Sequence, residues 1–326
     1  MKQKLLYVYE ERIPADLQKL VKSYFPESEF EMDSMTYLTP DEEKKQKLSW
    51  AEVVLFAPGR FLSDEMLEAG KNVKLMQLWS SGYDKFNTAG ATKHGIPVAN
   101  NGGANAGSVA EHSVLLMLAV AKRLPDSHKR TTTGTWVGNS HGVDMFMLKG
   151  KRVGIVGFGN IGRAVAKIVN GFGSEVVYYD IKRAEEDIEK SLNAQFVSLD
   201  ELLATSDIVT LHLHHTKETE GMIGKSELSK MKKGATFINV SRAQLVDYGA
   251  LEESLRDGHL HGAGLDVYYK EPTEANDPLL TLPNVVATPH MAGSTMDAYK
   301  TALENALENF RRVGKGERPL GIVNGM

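Results

Sequence analysis

Three polar side chains that can do chemistry follow three short apolar runs late in the chain, namely Arg242, Glu271 and His290. A histidine can give or take a proton near neutral pH, and a neighbouring carboxylate favours its protonated form. The forked guanidinium of an arginine suits a planar carboxylate. Taken singly, Arg242 can be a surface cation, Glu271 a loop carboxylate before proline and His290 a turn residue. Their common position at the ends of predicted strands, which face the ligand crevice in open α/β sheets, favours a shared site.

A glycine motif precedes these segments and predicts a dinucleotide-binding loop. An apolar run at 153–156 leads into Gly157, Gly159 and Gly162, spaced as G-x-G-x-x-G. The first glycine permits a tight turn, the second allows the backbone to approach a pyrophosphate, and the third allows the helix to pack on the strand. The N–H groups near Asn160 and Ile161 then face the anion, where the helix dipole adds to binding. The alternative, a glycine-rich turn, does not account for the strand, helix and second strand in register.

The acidic residue expected after such a loop is Asp180, which ends the apolar run 176–179 and lies 18 residues after Gly162. A carboxylate there binds the ribose hydroxyls and repels a 2′-phosphate. We therefore expect NAD rather than NADP. Lys182 and Arg183 can soften this preference, although solvated surface charges are the simpler interpretation.

The remaining pattern is that of a two-domain α/β protein. Predicted strands fall at 5–9, 53–57 and 75–79, then at 153–157, 176–179, 208–213, 236–240, 262–266 and 285–287. A helix at 161–172 is expected to use Ile161, Val165, Ile168 and Phe172 as its buried face. A helix at 105–123 is apolar nearly all round from 113 to 121, which predicts burial between domains or subunits. A last helix, capped by Ser294 or Thr295, has the spacing to pack on the first unit.

The composition excludes several classes of function. The 326 residues are 42% hydrophobic and 25% charged, with a formal charge of −4 and no cysteine. There is no basic footprint for nucleic acid or anionic lipid, and no thiolate metal site or thiol nucleophile. Neither a signal peptide nor an apolar run of roughly 18 residues is present, so we expect a cytoplasmic protein that does not bind membranes.

Taken together, the late segments resemble the D-2-hydroxyacid dehydrogenase family. The matching segments, in order, are Asn239-Val240-Ser241-Arg242, Leu265-Asp266-Val267 with Glu271-Pro272, and Thr288-Pro289-His290; Ser108-Val109-Ala110-Glu111-His112 and Gly82-Tyr83-Asp84 extend the resemblance. The resemblance implies a Rossmann doubly wound parallel sheet domain, at 101–294, inserted in a smaller flavodoxin-like α/β substrate domain, at 1–100 plus 295–326. It also implies hydride transfer between NAD and a small 2-keto or 2-hydroxy acid in a cleft that closes. The helix that is apolar nearly all round from 113 to 121 favours a homodimer.

The resemblance further implies a role for each site residue. His290 is the acid–base, Glu271 its carboxylate partner, and Arg242 the clamp for the substrate's carboxylate and carbonyl oxygen. Asp266 holds the nicotinamide carboxamide, with a strand-end cap as the alternative. The other cofactor contacts are Val240, Ser241 and the backbone of His290, Met291, Ala292 and Gly293. Substrate contacts come from the backbone of Ser80, Ser81 and Gly82.

Departures from the family pattern bear on the substrate. Leu78-Trp79 stands where phosphoglycerate-type members carry Arg-Ala. Phosphoglycerate is therefore a less favoured substrate than glyoxylate or hydroxypyruvate. Trp79 and Tyr83 either narrow the pocket or pack between domains, and both interpretations stay open. The alternative function is a NAD-sensing, corepressor-like scaffold on the same fold, or a family member that acts on phosphoglycerate or phosphite.

Two other features have structural interpretations. His212 and His214 are expected on one face of a strand, which could suggest a metal, but no carboxylate cluster accompanies them and we expect none. Ala243 replaces the glycine usual after Ser-Arg, and Asp247 is expected to be a helix N-cap.

Overall fold

The computed structural model describes residues 2–326 except the side chain of His141. The strands in chain order are β1 (Gln3–Tyr9), β2 (Phe30–Thr36), β3 (Val53–Ala57), β4 (Leu75–Leu78), β5 (Val98–Ala99), β6 (Arg152–Val156), β7 (Glu175–Tyr179), β8 (Ala194–Phe196), β9 (Ile208–Leu211), β10 (Thr236–Asn239), β11 (Gly262–Leu265) and β12 (Val285–Ala287). The α-helices are α1 (Ala15–Tyr24), α2 (Asp41–Trp50), α3 (Asp64–Ala69), α4 (Thr88–Lys93), α5 (Ala106–Ala121), α6 (Leu124–Thr132), α7 (Asn160–Gly171), α8 (Glu186–Ser191), α9 (Leu199–Thr205), α10 (Lys225–Lys230), α11 (Tyr248–Arg256) and α12 (Met296–Gly314). Two 3-10 helices span Gly138–Asp144 and Ala243–Leu245.

The chain forms two compact units, each built on one parallel sheet. Unit 1 runs to Asn105 and is completed by Thr295–Met326, and unit 2 is Ala106–Ser294. The sheet of unit 1 has the order β2-β1-β3-β4-β5, and that of unit 2 the order β12-β11-β10-β9-β6-β7-β8. The first is the flavodoxin-like order and the second is the doubly wound Rossmann order with one further strand. The predicted fold class is therefore confirmed.

Unit 1 closes its core with the last helix of the chain. Continuous apolar runs such as Leu5–Val8 are buried on both faces of the sheet, as parallel strands covered by helices require. Thr295 caps α12 by accepting a hydrogen bond from the backbone N–H of Ala298. The apolar face of α12 places Leu303, Ala306 and Phe310 in the core with α1 and β4.

In unit 2 two hydrophobic clusters cover opposite faces of the sheet, because alternate residues of each strand point to opposite sides. Helix α5 lies on one face, against α7, β10 and β11. Gly264 of β11 permits this close approach, since a Cβ there would lie 2.8 Å from the Cβ of Leu116. The all-round apolar character of α5 is thus largely explained by burial within unit 2.

Several local predictions need correction. The buried face of α7 is Gly162, Val165, Ala166 and Val169, while Phe172 follows the helix end and is 41% exposed. Of the predicted face, Val165 is buried as expected, and Ile161 and Ile168 are partly buried against the same core. The strand predicted at 208–213 ends at Leu211, and the helix predicted at 105–123 ends at Ala121. None of the helices in residues 2–326 combines the length and apolar character that a membrane span requires.

Candidate active site

The candidate site residues of unit 2 lie just after the carboxyl ends of adjacent strands, along one edge of the sheet. Register pairs the last residues of five adjacent strands in one row, namely Val156, Leu211, Asn239, Leu265 and Ala287. The glycine loop, Arg242, Asp266 and His290 each follow one of these strands within a few residues. Parallel strands present their carboxyl ends on the same side, which is where ligands bind in open α/β sheets. The sheet therefore brings residues far apart in the chain to one edge.

His290 and Glu271 form a hydrogen-bonded pair at this edge. The distance from His290 Nδ1 to Glu271 Oε1 is 2.9 Å, and the side chains are 41% and 26% exposed. The same carboxylate oxygen accepts a hydrogen bond from the backbone N–H of Tyr268 at 3.2 Å, which fixes its position. Because a carboxylate can only accept, Nδ1 donates and Nε2 is the nitrogen left to exchange a proton with a ligand. The pair has the geometry of an oriented acid–base histidine.

Arg242 lies on a turn that is braced from two sides. Its carbonyl oxygen accepts a hydrogen bond from Asn239 Nδ2 at 2.9 Å, and Asn239 Oδ1 accepts one from the Ser241 N–H at 3.0 Å. Ser241 Oγ donates to the carbonyl oxygen of Leu211 at 2.6 Å, so its hydroxyl ties β10 to β9. The guanidinium Nη1 donates to the Ser241 carbonyl at 2.8 Å, with the side chain only partly buried. The turn thus holds the arginine in place beside the sheet edge.

Asp266 binds the loop that carries His290. Its side chain is fully buried, and its carboxylate accepts hydrogen bonds from the backbone N–H groups of Met291 and Ala292 at 2.9 and 2.8 Å. Thr288 Oγ1 donates to it at 2.6 Å. His290 has a φ of +52°, a left-handed conformation that is uncommon outside glycine. Successive N–H groups on one anion form a nest, so the carboxylate stabilises this conformation.

Two residues of α5 contact the same loop and were given no role from the sequence. Ser108 Oγ donates to the carbonyl of Ala292 at 2.6 Å, and His112 Nε2 lies 2.9 Å from Thr288 Oγ1. Because Thr288 Oγ1 donates to Asp266, the histidine nitrogen must donate to Thr288. Ser108 and His112 are four residues apart and so share one helix face. That spacing was the available signal, but the partner loop was not deducible from it.

The glycine loop fits a dinucleotide. Gly157 has a φ of +98°, and a Cβ on Gly162 would lie 2.1 Å from the carbonyl oxygen of Gly157. A Cβ on Gly159 would have no heavy atom within 4 Å among the described residues, so space is open beside the start of α7. Helix α7 begins at Asn160, and by helix geometry its first N–H groups, including that of Ile161, have no intrahelical acceptor. An open cradle at a helix N-terminus is suited to a pyrophosphate.

Asp180 lies against this loop. Its Oδ2 accepts a hydrogen bond from the backbone N–H of Phe158 at 2.7 Å, and its Oδ1 accepts one from that of Lys182 at 3.3 Å. Both bonds leave lone pairs on the carboxylate, which can accept further hydrogen bonds. The carboxylate therefore stands next to the phosphate cradle, at the place where an adenosine ribose is bound in this fold.

The other predicted cofactor contacts have mixed exposure. Val240 and Ala292 are buried, Met291 is 45% exposed and Gly293 is partly buried. Asp266 has no exposed surface and is engaged by protein donors, as the strand-end alternative describes. Its predicted contact with a nicotinamide carboxamide stays a prediction.

The predicted substrate loop belongs to unit 1, where its side chains bind the protein itself. Ser80 Oγ donates to the Gly82 carbonyl at 2.7 Å, and Ser81 Oγ donates to Asn105 Oδ1 at 2.8 Å. No hydrogen bond within residues 2–326 uses the backbone N–H groups of Ser80, Ser81 or Gly82. Trp79 packs edge-to-face on Tyr299 of the same unit, with ring centroids 5.6 Å apart.

The prediction that His212 and His214 share one face of a strand was wrong, because β9 ends at Leu211 and neither histidine lies in a strand. His212 is partly buried with its Nδ1 shielded from solvent, and its Nε2 lies 3.0 Å from Thr210 Oγ1. Burial lowers the pKa of His212 to about 3, so it is neutral at physiological pH. Within the described part of the chain, no group of three or more His, Asp or Glu side chains is arranged to hold a metal ion. The predicted N-cap is confirmed, since the Asp247 side chain accepts from the backbone N–H of Ala250.

Comparisons of the sequence and of the structure with known proteins agree on one family. Residues 114–292 match the family model described as D-isomer specific 2-hydroxyacid dehydrogenase, NAD binding domain. The chain is 38% identical over 262 residues to the glyoxylate reductase of Korarchaeum cryptofilum, covering 80% of this chain and 79% of that protein. It is 36% identical over 308 residues to glyoxylate/hydroxypyruvate reductase B of Serratia proteamaculans, covering 93% and 92%. Among solved structures, the TT0316 protein of Thermus thermophilus is similar with a TM-score of 0.83 and 31% identity, covering 98% of this chain and 99% of that one.

These similarities extend over the sequence of both units, and the matched family model includes the glycine loop, Arg242, Glu271 and His290. They agree with a nicotinamide cofactor bound on the doubly wound sheet and with oxidoreductase chemistry on a CH–OH group. The chain belongs to the D-isomer-specific 2-hydroxyacid dehydrogenase family.

Proposed function

We propose that this protein uses NADH to reduce a small 2-keto acid to the corresponding 2-hydroxy acid, of D configuration where C2 becomes chiral, with glyoxylate or hydroxypyruvate as the preferred substrate. The observation that carries the proposal is the His290–Glu271 pair, 2.9 Å apart, on the same sheet edge as Arg242. When bound, the nicotinamide supplies or accepts the hydride. The protein supplies the proton, orients the acid and neutralises its charge.

Each of the three residues has one task in this proposal. His290 Nε2 gives a proton to the carbonyl oxygen, and Glu271 stabilises the imidazolium through Nδ1. Arg242 binds the planar carboxylate and the oxygen that gains negative charge. We propose that the substrate carboxylate is bound by the backbone N–H groups of Ser80, Ser81 and Gly82. Within residues 2–326 these groups donate no hydrogen bond.

The cofactor and domain assignments follow from the same argument. We assign NAD binding to 101–294 and substrate binding to 1–100 plus 295–326. The position of Asp180 beside the glycine loop supports NAD over NADP, because a carboxylate there repels a 2′-phosphate. Residues Val240, Ser241, Asp266 and the backbone of 290–293 complete the proposed cofactor site.

The preference for small, unphosphorylated acids rests on Leu78 and Trp79. Neither side chain carries a positive charge that could hold a substrate phosphate; Leu78 is fully buried, and Trp79 packs on Tyr299. Glyoxylate/hydroxypyruvate reductase B of Serratia proteamaculans, at 36% identity, supports the same substrate class.

We also propose a cytoplasmic homodimer. Large apolar side chains are exposed along the segment that follows α5, with Trp136 at 86%, Val143 at 88% and Met147 at 64%. Exposed apolar side chains grouped in one chain segment support a protein interface there. Sedimentation of the wild type and of W136D/V143D tests the proposal, with a dimer expected for the first and a monomer for the second.

A screen that follows NADH absorbance with glyoxylate, hydroxypyruvate, pyruvate, phenylpyruvate and 3-phosphohydroxypyruvate tests the activity. We expect the first two to turn over best. His290→Ala should lower kcat/KM by about 10²–10⁴-fold, the usual contribution of a positioned acid–base, while NADH binding is retained. The exposed His128 offers a control, since His128→Ala should leave both unchanged. NADH binding with no turnover of any of the five acids would favour the scaffold alternative instead.

A further inference from the structure

Arg183, three residues after Asp180, is held by a buried carboxylate. Its Nε donates to Glu189 Oε1 at 2.9 Å and its Nη2 to Glu189 Oε2 at 2.8 Å, so both oxygens of Glu189 are bound by one guanidinium. The Glu189 side chain is 10% exposed and that of Arg183 is 64% exposed. Such a two-bond pair fixes the direction of the guanidinium as well as its position.

The carboxylate is itself anchored to the sheet. Tyr178, a fully buried residue of β7, donates from its hydroxyl to Glu189 Oε1 at 2.6 Å and accepts from the Ala184 N–H at 2.9 Å. The hydrogen bonds from Arg183 and Tyr178 lower the pKa of Glu189 to about 2, so it stays charged. The guanidinium also lies 5.8 Å from the ring centroid of Phe196. The arginine is therefore held by β7, β8 and α8 together.

This arrangement bears on the adenosine end of the cofactor. In doubly wound folds the acid at the end of the second strand binds the ribose, and an arginine close to it accommodates the 2′-phosphate of NADP. Arg183 has the right charge and sequence position for that task. A 2′-phosphate would have to compete with Glu189 for the arginine and leave a nearly buried carboxylate without its counter-ion.

We propose that Glu189 determines cofactor specificity by keeping Arg183 away from a 2′-phosphate. Discrimination against NADP then has two parts, repulsion by Asp180 and withdrawal of Arg183 by Glu189. This inference rests on the proposed NAD-dependent function and names the residue that enforces it. Glu189 is a positioning residue, since it acts through Arg183.

Binding of 5′-ADP and 2′,5′-ADP to the full chain, measured by calorimetry, tests the proposal without turnover. The variants are D180N, E189Q and the double variant, each substitution removing one negative charge. We expect D180N to tighten 2′,5′-ADP binding about tenfold and E189Q alone only slightly, because Asp180 still repels the phosphate. The double variant should exceed the product of the two single effects by about tenfold, and adding R183Q should abolish that excess.

Glu186 provides the matched control. It lies on α8 near Arg183 and pairs with Lys190 at 2.6 Å, so E186Q removes the same charge from the same helix without releasing the arginine. The double variant D180N/E186Q should therefore equal the product of its single effects. If D180N/E189Q behaves in the same additive way, the proposal is overturned.

Two further measurements keep the result decisive. If E189Q fails to fold, R183Q in the D180N background replaces it. The proposal expects this change to leave 2′,5′-ADP affinity within about twofold, because Glu189 already withholds the arginine, and a loss of tenfold or more overturns it. Binding of 5′-ADP should be equal in all variants that keep Asp180, and weaker by one common factor in all variants that carry D180N, because these lose the carboxylate that binds the ribose hydroxyls. A wild type that does not bind 5′-ADP would overturn the dinucleotide site and the proposed function. Normal binding of 5′-ADP together with additive effects of D180N and E189Q on 2′,5′-ADP affinity would overturn the Glu189 inference alone.

Discussion

Asp266 offers the sharpest test of how the site is held together, through the substitution Asp266→Asn. The wild-type carboxylate accepts from the N–H groups of Met291 and Ala292 and from Thr288 Oγ1. The substituted side chain can keep its oxygen toward Met291 and Thr288, but its NH₂ group then faces the Ala292 N–H. One charge-assisted hydrogen bond is lost and a buried donor is left without an acceptor, and together these cost about 3 kcal/mol.

The magnitude can be measured as a melting temperature. Unit 2, Ala106–Ser294, has 189 residues. In a unit of this size each kcal/mol shifts the midpoint by roughly 2–4 °C, so we expect a fall of roughly 6–12 °C. The loop would also relax from the left-handed conformation of His290, and a displacement of about 1 Å at that histidine would lower kcat about 100-fold.

The assay combines calorimetry of unfolding with single-turnover kinetics and NADH binding. Asp257→Asn is the control, because Asp257 is exposed in the same unit and should change the free energy of unfolding by less than about 0.5 kcal/mol. An unchanged midpoint for Asp266→Asn together with weaker NADH binding would refute the reasoning. In that case the main role of Asp266 would be direct contact with the cofactor.

The remaining predictions concern the glycine loop, a buried histidine and a helix cap. Gly159→Ala should fold normally yet lose NADH binding, because its Cβ would enter open space needed by the pyrophosphate. Gly162→Ala should lose NADH binding and also lower the melting temperature, because its Cβ would clash with the carbonyl oxygen of Gly157. Equal melting temperatures for the two variants would contradict this prediction. His212 has a pKa lowered to about 3 by burial, so the unfolded chain binds a proton that the folded chain excludes between pH 6.5 and 3. The free energy of unfolding should therefore fall with decreasing pH by up to about 1.4 kcal/mol per pH unit in that window. His212→Gln should flatten this dependence of the unfolding free energy on pH, measured by urea denaturation. An unchanged dependence in the variant would contradict the prediction. Asp247→Ala removes the N-cap of α11 and should cost about 1 kcal/mol in the same assay, with no change in cofactor affinity.

Features that depend on local periodicity were largely predictable. Gly157, Asp180 and Arg242 were identified because a buried parallel strand has the sequence of an apolar run and the ligand edge follows directly after it. Strands with little apolar signal were missed. Strand β2, Phe30–Thr36, carries polar residues at several positions, and β5 is two residues long.

The apolar runs, the glycine motif and the resemblance of the late segments to a known family were enough to predict the family, the doubly wound sheet and the residues that follow its strands, since each of these depends on a pattern a few residues long. What holds the reactive groups in place emerged from the packing of the folded chain. His112 contacts Thr288 across 176 residues of chain, and Glu189, which binds Arg183, lies on a helix that packs on β8 and is hydrogen-bonded to Tyr178 of β7. Side-chain contacts of this kind depend on how separate elements pack, and no local pattern encodes which element a given side chain will meet. His290, the proposed acid–base, was therefore identified from its motif, while the way in which the buried Asp266 carboxylate fixes its loop became clear only in three dimensions.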